Sequence, residues 1–322
     1  MSEVAVTSAL PGKALERLAA RHRVRVRETG PPLNGGELAA FTEGAEALIC
    51  LLADRVTAEV FKRCPHLKVV ANYAVGFDNV DLDAARAAGV WVTNTPDVLT
   101  EVTADLAWAL ILAVARRVVE GDRLVRSGRF LGWRPDLLLG AGLQGRTLGI
   151  VGMGRIGRAV ARRAAGFGMR VLFHDPTPAG AVAGAEYVAD LETLLARSQV
   201  LSLHCPSNRE TRHLLDSRRL RLLPRGAIVV NTSRGEVVDE AALVEALENG
   251  HVGGAGLDVY QREPDVHPGL RSRSDVVLLP HLGSATVEAR AAMADLAVDN
   301  VLQVLAGKTP RTPVVTPTAP RR

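Results

Sequence analysis

The sequence predicts an α/β protein of two doubly wound parallel-sheet domains, and three observations carry that prediction. Short apolar runs alternate with amphipathic helical stretches along almost the whole chain, the pattern of parallel strands joined by right-handed helical crossovers. A glycine-rich turn, Gly152-Met153-Gly154-Arg155-Ile156-Gly157, lies at mid-chain between an apolar run and an Ala-rich helical stretch. At 322 residues the chain exceeds the usual single-domain size, so a second sheet has room beside the one that carries this turn.

Residues 1 to about 98 hold five strand candidates: Val4 to Thr7, Val24 to Arg27, Ala47 to Leu52, Lys68 to Ala71 and Val90 to Thr93. Helical patterns separate them at Gly12 to Ala20, Glu37 to Thr42, Thr57 to Cys64 and Leu82 to Ala88. This half is expected to be a flavodoxin-like domain, and since no glycine-rich phosphate turn occurs here it need not bind a nucleotide. Asn94-Thr95-Pro96-Asp97 reads as a turn at the domain boundary. Val102 to Val119 then reads as one long helix, and Gly128 to Gly145 as an irregular stretch.

From Thr147 the alternation resumes with six strand candidates: Leu148 to Val151, Arg170 to His174, Val200 to His204, Ala227 to Asn231, Gly254 to Asp258 and Val276 to Leu279. Six strands behind a leading GxGxxG are the content of a Rossmann domain. The last amphipathic helix, Val287 to Leu305, is expected to return to the first domain. The predicted division is therefore 1–98 with 288–322 for the substrate domain, and 99–287 for the inserted Rossmann domain. The Pro- and Thr-rich tail, Thr309 to Arg322, is expected to be unpacked at its end.

Each glycine of the turn has a physical task. Gly152 permits the tight turn, Gly154 lets backbone approach a pyrophosphate, and Gly157 lets the helix pack close to the strand. The helix N-terminus offers amide groups and a partial positive charge to phosphate. Asp175 closes the next apolar run, 18 residues after Gly157, where a carboxylate takes the adenosine ribose hydroxyls. It would repel a 2′-phosphate, and Pro176-Thr177-Pro178-Ala179 brings no Arg or Lys. NAD(H) is therefore expected in preference to NADP(H).

Composition excludes several other classes. The 39 basic residues nearly balance 35 acidic ones, for a net charge of +4, and no basic run or basic–aromatic interleaving points to nucleic acid. Cys50, Cys64 and Cys205 lie far apart, so neither a disulfide framework nor a cysteine metal site is expected, and no metal is predicted. No stretch is long and apolar enough for a membrane span, and the N-terminus lacks the regions of a signal peptide. The expected location is the cytoplasm.

Four chemically capable groups fall at the carboxyl ends of predicted strands or in the turns after them: Arg234, Asp258, Glu263 and His281. Ligands of doubly wound sheets bind at those ends. The pieces Val75-Gly76-Phe77-Asp78-Asn79-Val80-Asp81, Gly152 to Gly157, Asn231 to Gly235, Gly256-Leu257-Asp258-Val259 with Glu263-Pro264, and Pro280-His281-Leu282-Gly283-Ser284 resemble the D-isomer-specific 2-hydroxyacid dehydrogenase family over essentially the whole chain.

That resemblance implies roles. Arg234 would bind the substrate carboxylate, His281 would be the acid/base, and Glu263 would support it. Backbone amides of Val75 and Gly76 would bind the other end of the carboxylate. Asp258 would hold the nicotinamide carboxamide. Thr103, Arg155, Ile156, Cys205, Pro206, Thr211, Thr232, Ser233 and Gly283 would line the cofactor with the three glycines and Asp175. The other seven histidines are read as structural, His204 being the least secure because it ends a cofactor-domain strand.

The chemistry agrees with these roles. Reduction of a 2-oxo acid brings hydride to a carbonyl carbon, and the oxygen then needs a proton, which histidine supplies near neutral pH. A carboxylate beside it favours the imidazolium, the donor in that direction. A guanidinium matches a carboxylate bidentately. Within the family the runs Val92 to Thr100 and Val125-Arg126-Ser127-Gly128 leading to Trp133-Arg134-Pro135 resemble glyoxylate/hydroxypyruvate reductases most. Activity of the D-3-phosphoglycerate or D-lactate type is the alternative, and a non-catalytic dinucleotide-sensing protein a more distant one. The resemblance also implies a homodimer, formed through the helix from Val102 and the irregular segment after it.

Overall fold

The computed structural model describes residues 1–28, 30–177 and 180–321. It resolves into two compact units, Met1–Leu99 with Ser284–Arg322, and Thr100–Gly283. The first unit carries β1 (Glu3–Val6), β2 (Arg23–Val26), β3 (Ala47–Leu51), β4 (Val69–Tyr73) and β5 (Trp91–Thr93), all parallel, in the order β2-β1-β3-β4-β5. This is the flavodoxin-like order. The helix Val287–Leu305 belongs to this unit, capped by Thr286, whose hydroxyl accepts the Ala289 amide. Tyr73 donates from its hydroxyl to the Arg290 carbonyl at 2.6 Å, tying β4 to that helix.

The second unit carries β6 (Thr147–Val151), β7 (Arg170–His174), β8 (Ala185–Tyr187), β9 (Val200–Leu203), β10 (Ala227–Asn231), β11 (Val252–Leu257) and β12 (Val276–Leu278). Their order is β12-β11-β10-β9-β6-β7-β8, all parallel. Read from β8, the Rossmann order appears with one strand added beyond it. Both faces of this sheet are covered, which is why its strands read as continuous apolar runs. In β10, Ala227 and Val229 join one apolar layer with Leu203, Leu215 and Leu243, while Ile228 and Val230 join the other with Leu110, Ile111 and Val160. The topological switch falls between β6 and β9, the two strands that open a crevice at their carboxyl ends.

Three expectations are corrected. The long helix is two: Thr100–Ala115 and Val118–Arg126, separated at Arg117, whose φ is +55°. The first helix stops because the Ala115 carbonyl accepts the Ala141 amide at 2.7 Å, and the Arg117 guanidinium turns to grip Glu120. The second sheet has seven strands instead of six, because β8 is a short edge strand with exposed Glu186 and Tyr187 and so lacks an apolar signature.

The tail is packed. Pro313–Val315 pairs antiparallel with β5, and Asn300 accepts the Arg311 and Thr312 amides to start that strand. Arg321 donates to the carbonyls of Phe61, Cys64 and Leu67, satisfying acceptors at a helix end that would otherwise lack partners. Arg322 lies outside the described residues. Among the described residues no helix is long and apolar enough to cross a membrane.

Candidate active site

The glycine turn follows β6 at the switch point. Gly152 has φ +92°, and a Cβ there would meet the Cys205 amide nitrogen at 2.6 Å and the His204 carbonyl carbon at 2.7 Å. Only glycine allows this approach of the β6 and β9 loops. Gly157 packs against the Gly152 carbonyl, whereas a Cβ on Gly154 would enter open space. Gly154 is the N-cap of the helix Arg155–Ala164 and brings no side-chain cap to it. That helix is anchored from behind by Trp108, whose indole donates to the Val160 carbonyl. The turn thus presents bare backbone and a helix N-terminus to the same space, the arrangement that receives a pyrophosphate.

Asp175 stands at the carboxyl end of β7, where its Oδ2 accepts the Met153 amide at 2.8 Å and its Oδ1 the Thr177 amide at 3.0 Å. The acidic group is therefore fixed against the glycine turn. Pro178 and Ala179, the last two residues of the stretch without positive charge, lie outside the described residues. Thr232, directly after β10, buries a hydroxyl oxygen that has no partner within the protein, and a buried polar atom of this kind calls for a ligand or water. A dinucleotide fits these residues.

Other expected cofactor residues are found with internal partners. Thr103 donates to the Gly283 carbonyl at 2.8 Å, and Thr211 donates to the Pro206 carbonyl at 2.6 Å, closing the loop after β9. Ser233 donates from both its amide and its hydroxyl to Asn231 Oδ1. Arg155 is exposed and Ile156 half-buried on the first turn of the helix. Burial pushes the Cys205 thiol up to about 12, so it stays protonated. Burial lowers His204 to about 4, and Ser202 lies 2.8 Å from its Nε2.

The chemical groups gather at the carboxyl ends of β10, β11 and β12. His281 Nδ1 lies 2.9 Å from Glu263 Oε2. Glu263 Oε1 accepts the Tyr260 amide at 3.1 Å, so both oxygens of that carboxylate are committed. Burial alone would raise the Glu263 carboxyl, but the His281 hydrogen bond and charge, the Tyr260 amide and the Arg234 guanidinium together hold it below its ordinary range.

Asp258, fully buried, shows a different task from Glu263. Its oxygens accept the Leu282 and Gly283 amides at 2.6 and 2.8 Å, and its carbonyl accepts the His281 amide at 2.9 Å. It thereby fixes the turn in which His281 has φ +56°. Burial raises the Asp258 carboxyl, against the pull of the Leu282 amide and the His281 charge.

Arg234 is set by Asn231, whose side-chain amide donates to the Arg234 carbonyl at 2.8 Å, and its guanidinium donates to the Ser233 carbonyl. Gly235 follows because a Cβ there would overlap the Tyr260 carbonyl. This contact fastens the Arg234 loop to the loop that carries Glu263. In the other unit, the Gly76 carbonyl accepts from Asn72 at 2.7 Å and the Val75 carbonyl accepts from Asn94 at 2.8 Å. Asn72 is itself paired with Asn79. Nothing in the sequence singles out the supporting roles of Asn72, Asn79, Asn94, Asn231 and Tyr260. Asn79, Asn94 and Asn231 lie inside sequence motifs, but most of their partners are backbone groups, and such contacts leave no pattern. Among the described residues no group of three or more His, Cys, Asp or Glu is assembled that could hold a metal.

Comparison with known proteins bears on this site. Residues 108–283 match the model for the D-isomer specific 2-hydroxyacid dehydrogenase, NAD binding domain. A glyoxylate reductase of Thermococcus litoralis is 45% identical over 315 residues, 96% of this chain and 95% of that one. A crystal structure of a Thermus thermophilus protein has a TM-score of 0.92 and 52% identity, covering 97% of this chain and all (100%) of that one. The NADPH-dependent glyoxylate/hydroxypyruvate reductase of Sinorhizobium meliloti, crystallised with NADP and malonate, has a TM-score of 0.89 and 35% identity, covering 100% and 99%. With a matched NAD-binding unit and relatives alike over nearly their full length, this chain belongs to the D-isomer specific 2-hydroxyacid dehydrogenases, a family of NAD(P)-dependent oxidoreductases.

Proposed function

We propose that the enzyme reduces glyoxylate and hydroxypyruvate to glycolate and D-glycerate, reversibly, with NADH. The observation that carries this reading is the His281–Glu263 pair at 2.9 Å, with Glu263 held a second time by the Tyr260 amide. Glu263 engages Nδ1 and so directs Nε2 as the proton donor. Nicotinamide, when bound, supplies the hydride. His281 Nε2 gives its proton to the carbonyl oxygen, and the anionic Glu263 stabilises the imidazolium before that step. Arg234 binds the substrate carboxylate through its fork and draws charge from the neighbouring carbonyl oxygen. Val75 and Gly76 are further carboxylate holders through their amides, and their carbonyls are tied back by Asn94 and Asn72 in support. In reverse, neutral His281 accepts the hydroxyl proton.

The cofactor is held by the amides at the helix start, Gly154 to Ile156, by Thr232 and by Asp175. The preference for NADH rests on the Asp175 carboxylate, fixed where a 2′-phosphate would be repelled. The named glyoxylate reductases among the relatives support the substrate, while the Sinorhizobium neighbour uses NADPH. One set of initial rates tests both parts. Glyoxylate, hydroxypyruvate, pyruvate and oxaloacetate are each assayed with NADH and with NADPH. The expected result is the highest kcat/KM with glyoxylate or hydroxypyruvate and with NADH. Preference for pyruvate or oxaloacetate would overturn the substrate, and a higher kcat/KM with NADPH would overturn the cofactor.

The functional form is a homodimer. Val118, Val125, Phe130, Leu131, Trp133 and Leu139 all lie exposed within one stretch, Leu131 at 98% and Trp133 at 80%. Large apolar side chains concentrated this way mark an interaction surface. Light scattering on the eluted protein is expected to give twice the mass of one chain, and a monomer at micromolar concentration would refute the dimer.

A further inference from the structure

Glu240 is a carboxylate that the chemistry above does not use, yet it is only 7% exposed. It opens the helix Glu240–Glu248, behind the N-cap Asp239 that already accepts the Ala241 and Ala242 amides. The Glu240 carboxylate takes no part in that cap. Its Oε1 accepts the amide of Gln261 at 2.8 Å. The preceding amide, that of Tyr260, goes to Glu263. Two consecutive amides of one short loop are therefore held by two different carboxylates. The Gln261 side chain makes a third attachment, its Nε2 lying 2.7 Å from His213 Nε2. His213 is fixed in turn by its own amide, which donates to the Glu236 carbonyl at 2.7 Å.

We propose that Glu240 is a positioning residue for proton transfer: by holding Gln261 it sets the Tyr260 amide, and through it the orientation of the Glu263 carboxylate toward His281. This inference rests on the reading of Glu263 and His281 as the acid/base pair. A buried carboxylate needs a strong partner to repay its loss of water, and here that partner is one peptide bond from the catalytic carboxylate's own donor. Glu240 touches no substrate atom in this scheme, so its loss acts on kcat and leaves KM in place.

The test compares Glu240→Leu, which fills the space without an acceptor, with Glu240→Gln, which keeps a carbonyl oxygen at the same reach. Folding is checked by circular dichroism and by NADH affinity. Glu240→Leu is expected to lower kcat about tenfold, the equivalent of about one hydrogen bond, with KM for glyoxylate changed less than about twofold. Glu240→Gln is expected to restore most of kcat. In a Glu263→Gln background the Leu substitution should have little further effect, because it acts through a carboxylate already removed. If Glu240→Leu does not fold, Glu240→Asp, which withdraws the acceptor by one methylene, is read in the same way.

A folded Glu240→Leu with wild-type kcat beside an impaired Glu263→Gln would overturn the positioning role alone. A full additional loss in the double variant, or a loss expressed in KM, would also overturn it. An unimpaired Glu263→Gln would reject the acid/base pair itself, and the inference with it.

Discussion

Replacing His281 by alanine is expected to lower kcat by on the order of 10²–10⁴, the range of a positioned acid/base. NADH affinity should be unchanged, because the imidazole meets Glu263 and not the glycine turn. The wild-type pH dependence follows from the same pair. Glu263 is held below the ordinary carboxylate range, so it stays anionic at neutral pH and above. Reduction requires the imidazolium and is therefore lost on the alkaline side as that proton leaves, while oxidation of the hydroxy acid gains there. The alanine variant should show neither limb. Measuring kcat in both directions from pH 5 to 10 decides the point, and near-normal turnover would remove His281 from the mechanism.

The second large effect is expected at the substrate carboxylate. Arg234→Lys should lower kcat/KM by roughly 10–10², the scale of one or two charge-assisted hydrogen bonds, with the change mainly in KM. The structure explains why keeping the charge does not suffice. One arm of the guanidinium donates to the Ser233 carbonyl, which sets the plane in which the fork lies. An ammonium has neither the plane nor the second arm. The Asn231 and Gly235 contacts keep the backbone of this loop in place whatever the side chain, so the variant should fold normally. Steady-state kinetics with glyoxylate will show it, and an unchanged KM would argue against carboxylate binding by Arg234.

Much of the fold and site could be read from residues because each signal is local. The glycine turn is spelled within six positions, although the clearance that requires Gly152 is against His204 and Cys205, and Asp175 is marked by the end of the next strand. Arg234, Glu263 and His281 lie in the loops after buried strands, where ligands bind, and the resemblance of their motifs to a known family is what implies their roles. What escaped reading was either too short or paired at a distance. β8 has three residues, none of them marking an apolar face. The strand Pro313–Val315 hides in a Pro- and Thr-rich tail, and only its pairing with β5 makes it a strand. The break at Arg117 lies inside an apolar periodicity that continues through Val118 and Val119, so pattern alone joins two helices. Asn72, Asn231 and Glu240 meet backbone groups, and no residue type at the other end announces them.

The first unit is assembled from two separate stretches, Met1–Leu99 and Ser284–Arg322, while the second is one uninterrupted stretch between them. During synthesis on the ribosome, β5 therefore emerges long before its antiparallel neighbour, and β4 before the helix that Tyr73 grips. Protein domains ordinarily mature from the N-terminus onward at ~5–20 residues per second. Here the nucleotide unit, Thr100–Gly283, has its whole sequence before the first unit does, and Met1–Leu99 waits, edge exposed, for Ser284–Arg322. A premature stop within Ser284–Arg322 thus strikes the unit whose larger stretch was already made.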